Sequence, residues 1–142
     1  MTVELVWEVE ERPAADELLR AAVQAALAHG GEPGRQVSLA LVDDPTLAEL
    51  HGRFLDDPSV TDVMSFLLGE GQDGPWGEVV VSVDRAREVA LERGLPWERE
   101  LVLYAVHGTL HLCGFDDHED ADREAMRSAE ASVLAELGFE AE

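Results

Sequence analysis

His107-Gly108-Thr109-Leu110-His111-Leu112-Cys113-Gly114-Phe115-Asp116-Asp117-His118 is the stretch from which the rest of the chain is read. It ends a segment of helical periodicity that opens at Pro96, and Gly114 stops that helix. Two histidines four residues apart project from one face of such a helix, one turn apart. The turn after the glycine then offers Asp116, Asp117 and His118. A divalent metal suits two imidazoles on a rigid element and a third group returned by the next loop. That arrangement leaves a coordination position open for water.

Upstream of this helix the chain carries its strands; downstream it carries only a helix. Thr2–Val9 alternates and is rich in Val, which predicts a strand. Pro13 to Leu27 has helical spacing and ends at His29-Gly30-Gly31. Gln36–Val42, Val60–Leu67 and Gly77–Val83 read as further strands. Asp44 followed by Pro45 reads as the cap of a helix reaching about Phe54, with Leu55–Ser59 a polar turn and Gly69–Gly74 a Gly-rich loop. Asp84 reads as the cap of a short helix to Arg93. Gly94-Leu95-Pro96 separates that helix from Pro96–Leu112, and a last helix runs from about Asp120 to Leu137. The order β-α-β-α-β-β-α-α-α predicts an α+β fold: one domain over residues 1–142, with a small mixed four-stranded sheet packed by about five helices. Strand order is not readable from the sequence.

Composition narrows the classes. With 142 residues, 46% hydrophobic and 29% charged, the chain reads as a globular domain with a sizeable core. No apolar run approaches the ~20 residues of a membrane span, and the first residues are acidic where a signal peptide is basic. A single cysteine, Cys113, excludes an internal disulfide and fits a reducing compartment, so a cytoplasmic location is expected. The formal charge is −21, and all ten cationic side chains are arginines. Nucleic-acid affinity normally rests on basic residues neutralising phosphates. A chain this acidic therefore needs a local Arg-lined cleft, a metal or a carrier partner to handle RNA.

Each candidate has a plainer reading. His107 or His111 alone is an ordinary satisfied histidine, and a helix C-terminus favours histidine. That accounts for His111 but not for the aspartates that follow, which a helix C-terminus disfavours and a bound cation would relieve. The helical zinc hydrolase pattern places a Glu after the first His as general base; here Gly108 stands there. The base must be the metal's own water or a carboxylate from elsewhere, for which Asp62 in the third strand is the candidate against a plain strand-edge role. Cys113 reads as a small packing residue rather than a ligand.

The motif His-Gly-x-Leu-His-Leu-x-Gly-Phe-Asp, from His107 to Asp116, resembles the signature of the YbeY family of rRNA-maturation endoribonucleases. Val42-Asp43-Asp44, Thr61-Asp62-Val63-Met64-Ser65-Phe66 and Gly77-Glu78-Val79-Val80-Val81-Ser82 resemble that family's segments in their usual order, over roughly residues 35–137. The resemblance implies a single-strand-specific endoribonuclease with one zinc per chain. It would act on RNA and not DNA, in maturing the 3′ end of 16S rRNA and in ribosome quality control, with the small ribosomal subunit or its proteins as partner. The family's third histidine falls, by register, on Asp117, with His118 one residue later. Register favours Asp117 and residue type favours His118, with Asp117 preferred. The family arginine before the Thr-Asp-Val segment matches Leu55, while Arg53 lies two residues earlier. Arg53 is thus the candidate for phosphate contact, against an ordinary exposed role. Asp62 and Ser65 are expected to line the cleft. On free RNA the acidic surface implies weak, salt-sensitive activity. The rival readings are a metal hydrolase of another class, which the missing Glu disfavours, and a non-catalytic ribosome-assembly module with a structural metal.

Overall fold

The computed structural model describes residues 3–10, 15–43, 45–47, 49, 63–68, 75–115 and 119–139. Its strands are β1 (Val3–Trp7), β2 (Val37–Val42), β3 (Val63–Leu67) and β4 (Gly77–Ser82). Its longer helices are α1 (Asp16–His29), α2 (Val83–Arg93), α3 (Trp97–Leu112) and α4 (Asp120–Glu136). A further helical stretch includes residues 45–47, making five helices among the described residues, as the sequence predicts.

The sheet order is β1-β2-β4-β3. β1, β2 and β4 run parallel, and β3 lies antiparallel on the β4 edge. β2 is buried at all six positions, which explains its near-continuous apolar run, broken only by the buried Ser38, since a central parallel strand is covered on both faces. Val37, Leu39, Leu41, Val79 and Val81 face the main core with α1, α3 and α4. Ala40, Val42 and Val80 point the other way and join Leu47, Met64 and Phe66 in a second cluster.

α3 is buried around most of its circumference, including Leu101, Val102, Ala105, Val106, Thr109 and Leu110. Such a helix belongs inside the fold rather than on it. It reaches the sheet closely because residue 108 is glycine. A Cβ there would lie 2.5 Å from Val79 Cγ1, 2.9 Å from Val63 Cγ1 and 3.1 Å from Ser65 Oγ. Ser65 and Val79 are register partners, so Gly108 sits over one rung of the β3–β4 ladder. The Ser65 hydroxyl donates to the Gly108 carbonyl at 2.9 Å, tying helix to sheet.

Two caps bear on the sequence reading. Asp43 caps the helical stretch: its Oδ1 accepts from the Thr46 N–H at 2.8 Å, and its carbonyl from Leu47 N–H at 3.1 Å; Asp44, the cap expected from the sequence, lies outside the described residues. Hydrogen bonds from the Thr46 hydroxyl and from its backbone N–H hold the Asp43 carboxyl below the ordinary range. Ser82, not Asp84, caps α2, accepting from Arg85 N–H at 3.0 Å, which leaves Asp84 in the first helical turn where its charge suits the dipole.

Gly108→Ala tests the helix–sheet contact. On an open helix face that change would stabilise by about 0.5–1 kcal/mol. Here stiff Val side chains must move, and overpacking costs about 1–3 kcal/mol. The variant is therefore expected to lose stability in a denaturant titration. A midpoint at or above wild type would show that the helix does not lie this close to the sheet.

Candidate metal centre

The C-terminal end of α3 is built by a glycine-terminated cap. Gly114 adopts φ +105°, its N–H bonds to the His111 carbonyl at 3.0 Å, and Phe115 N–H bonds to the Leu110 carbonyl at 3.1 Å. This is the Schellman pattern, which a left-handed glycine makes without strain. It turns the Phe115 carbonyl back toward the helix, where it accepts from His111 Nδ1 at 3.0 Å. His111 itself is exposed.

His107 lies one turn earlier and is half-buried. Its Nδ1 is 2.5 Å from Glu130 Oε2, on α4. Carbonyl and carboxylate oxygens only accept, so each of these bonds is donated by Nδ1–H, the arrangement in which a neutral ring keeps its lone pair on Nε2. A carboxylate and a backbone carbonyl are the outer-shell partners that metal-binding histidines normally have. The donor set fits a zinc-type cation on the side of imidazole chemistry and ring orientation. Among the described residues, no group of three His, Cys, Asp or Glu is placed to hold a metal. Asp117, His118, Arg53 and Asp62 lie outside the described residues.

Ser65 is spent on the Gly108 carbonyl, so it positions the helix that carries the histidines. Cys113 packs against Gly30, where an added Cβ would meet its Cβ and Sγ at 2.5 Å. Burial, with the Glu32 charge nearby, pushes its thiol up to about 11. At neutral pH it is a protonated packing group, whereas a metal ligand would be a thiolate. Glu130 was not among the residues singled out in the sequence. Its signal was there: an acid beside the apolar stripe Met126, Ala129, Val133 and Leu134 that α4 buries.

Two measurements follow. Glu130→Ala is expected to lower divalent-metal affinity roughly 10–100-fold, the usual consequence of losing a ligand's outer partner. Isothermal titration on the folded variant checks this, and unchanged affinity would mean that Glu130 does not set the His107 ring. Cys113 is expected to alkylate with iodoacetamide at pH 8 more slowly in the folded chain than after denaturation. Because its folded pKa is raised, the neutral thiol's contribution is present below the ordinary thiol value and is lost as pH climbs toward 11.

Comparison with known proteins identifies the family. The family model described as Endoribonuclease YbeY matches residues 6–138. The protein named Endoribonuclease YbeY from Desulfitobacterium hafniense is 38% identical over 98% of this chain and 99% of its own length. That from Carboxydothermus hydrogenoformans is 36% identical over 95% and 97%. The solution structure of TM1509 from Thermotoga maritima shares the fold, with a TM-score of 0.61 at 24% identity over 94% of this chain and 90% of that one. A match across nearly the whole chain, with the glycine-stopped histidine helix inside it, places this protein in the YbeY family of endoribonucleases.

Proposed function

We propose that this chain is a zinc-dependent, single-strand-specific endoribonuclease that acts on small-subunit rRNA, in maturing its 3′ end and in ribosome quality control. The observation that supports the metal dependence is the pair of oriented imidazoles, one turn apart: His107 Nδ1 on Glu130 and His111 Nδ1 on the Phe115 carbonyl. His107 and His111 would hold the metal, with Asp117 or His118 as third ligand. When bound, zinc supplies Lewis-acid charge to a phosphoryl oxygen and lowers the pKa of a coordinated water.

The chain's own residues divide the remaining work. α3 fixes the two imidazoles because its backbone is locked to the sheet at Gly108. Glu130 keeps the His107 ring in one orientation and raises its basicity. Gly108 carries no carboxylate, so the base of helical zinc peptidases has no counterpart there and a phosphodiester fits better than a peptide. Arg53 is the proposed phosphate contact and Asp62 the proposed proton acceptor. The small ribosomal subunit is the proposed carrier that presents RNA to so acidic a protein.

The test is metal content and fold measured together. Wild type is expected to carry near one zinc per chain, and His111→Ala to lose it while melting within a few degrees of wild type. The wild type then cleaves a single-stranded RNA and the variant does not, with activity falling by more than roughly 100-fold. His118→Ala and Asp117→Ala are compared in the same way; loss of zinc with His118→Ala alone would reverse the preferred ligand. A chelator that unfolds the wild type would instead favour a structural metal in a non-catalytic assembly module.

A further inference from the structure

We propose that the groove between α3 and α4 is a phosphate subsite that grips the RNA backbone beside the metal centre; this deepens the endoribonuclease reading and rests on it. The groove holds a cleft of about 350 Å³ lined by Arg93, Arg99 and Arg127, with Glu130, Leu103 and Leu134 among its walls. The protein has ten cationic side chains against 31 acidic ones, yet three of the ten meet in this one cleft.

The arginines are arranged rather than scattered. Arg99 is only 5% exposed and Glu100 only 1%, so the base of the cleft is a buried ion pair. Arg99 donates to Glu100 Oε1 at 3.3 Å, and Arg93 reaches the same oxygen at 4.0 Å. A buried pair of this kind seldom adds stability over apolar packing, because both charges lose their water. What Glu100 does is hold two guanidinium groups at the cleft. Arg127, on the exposed side, makes no hydrogen bond or ion pair with a described residue. Glu130 directs its Oε2 to His107 and so is committed to the metal side. The two acids at the cleft are both engaged, Glu100 by Arg93 and Arg99 and Glu130 by His107, in a molecule carrying −21.

The ligand class follows from these groups. Planar guanidinium forks match phosphate oxygens, and a fixed fork loses little entropy on binding. Glu130 belongs to the cleft wall and to His107 at once, so a phosphate here is separated from the histidine pair by one side chain. A strand whose scissile phosphate sits at the histidines would place a neighbouring phosphate in this groove. The subsite answers the electrostatic problem posed by the sequence: it gives RNA a local cationic hold on an acidic body.

Fluorescence anisotropy of a labelled single-stranded oligoribonucleotide, titrated with the full-length protein at several salt concentrations, tests this, with a gel of the same samples reporting cleavage. Arg127 is exposed, so its replacement leaves the fold alone. Arg127→Ala is expected to weaken binding roughly threefold to tenfold and to reduce the salt slope by about 0.7 relative to wild type, the value for one lost single-strand phosphate contact. Arg127→Lys should recover part of the affinity, and Arg93→Ala should act like Arg127→Ala. Affinity and slope unchanged in both alanine variants would overturn the subsite, as would a wild type that binds no RNA. Cleavage by wild type in those same samples would show that the endoribonuclease reading stands even so; its absence there, with metal loaded, would count against that reading by itself.

Discussion

The backbone of α3 lies directly on the β3–β4 ladder at Gly108, and the placement of the histidines descends from that contact. Because residue 108 has no side chain, Val63, Ser65 and Val79 meet the helix backbone itself, and the Ser65 hydroxyl closes the contact. The helix is then enclosed by the sheet and by α1, α2 and α4, leaving its final turn at the boundary with solvent. His107 stands half-buried at that boundary and His111 exposed just beyond it. A ligand pair needs this combination: fixed in direction by packing, yet reachable from outside. The same constraint removes the carboxylate that a helical zinc peptidase carries after its first histidine. Rigidity and the missing base have one cause.

The termination of α3 adds the second control. Phe115 packs against the core while its carbonyl accepts from His111. The backbone turn that ends the helix thus also sets a ring tautomer. Glu130 does the corresponding task for His107 from across the groove. The two imidazoles are oriented by unrelated means, one local to the cap and one tertiary, so a disturbance of α4 affects His107 and not His111.

That distinction explains what the sequence showed and what it hid. The elements were legible because their patterns are local: the Val- and Leu-rich runs of β2 and β4, the helical spacing of α3, and the glycine that stops it. The His107–His111 pair and the cap at Gly114 belong to the same class. The cap of α2 was misplaced because Ser82 and Asp84 are both good cap residues two positions apart, and only the hydrogen bond chooses. The strand order β1-β2-β4-β3 was hidden because β4 inserts between strands that precede it in the chain. Glu130 meets His107 across 23 residues of sequence, which no periodicity reports. Arg99 and Glu100 are both buried near the start of α3, a property that two charged residues do not announce in the sequence. Arg53, Asp62, Asp117 and His118 lie outside the described residues, so their reading still rests on sequence alone.

The charge of the molecule and its substrate class are reconciled by distance. At physiological salt the field of a surface carboxylate fades over a Debye length of ~8 Å. A strand approaching the protein meets repulsion from the whole body, which slows encounter. Once in the α3–α4 groove it is within contact range of guanidinium groups, beside Glu100 and Glu130, which are already engaged by Arg93, Arg99 and His107. Salt acts on these two stages in opposite directions, easing the approach and loosening the hold. An acidic nuclease of this design therefore discriminates by requiring that RNA be delivered close to the groove, since long-range attraction will not bring it there. On the proposed function, delivery on a larger particle would supply the missing approach and the local cationic cleft the grip.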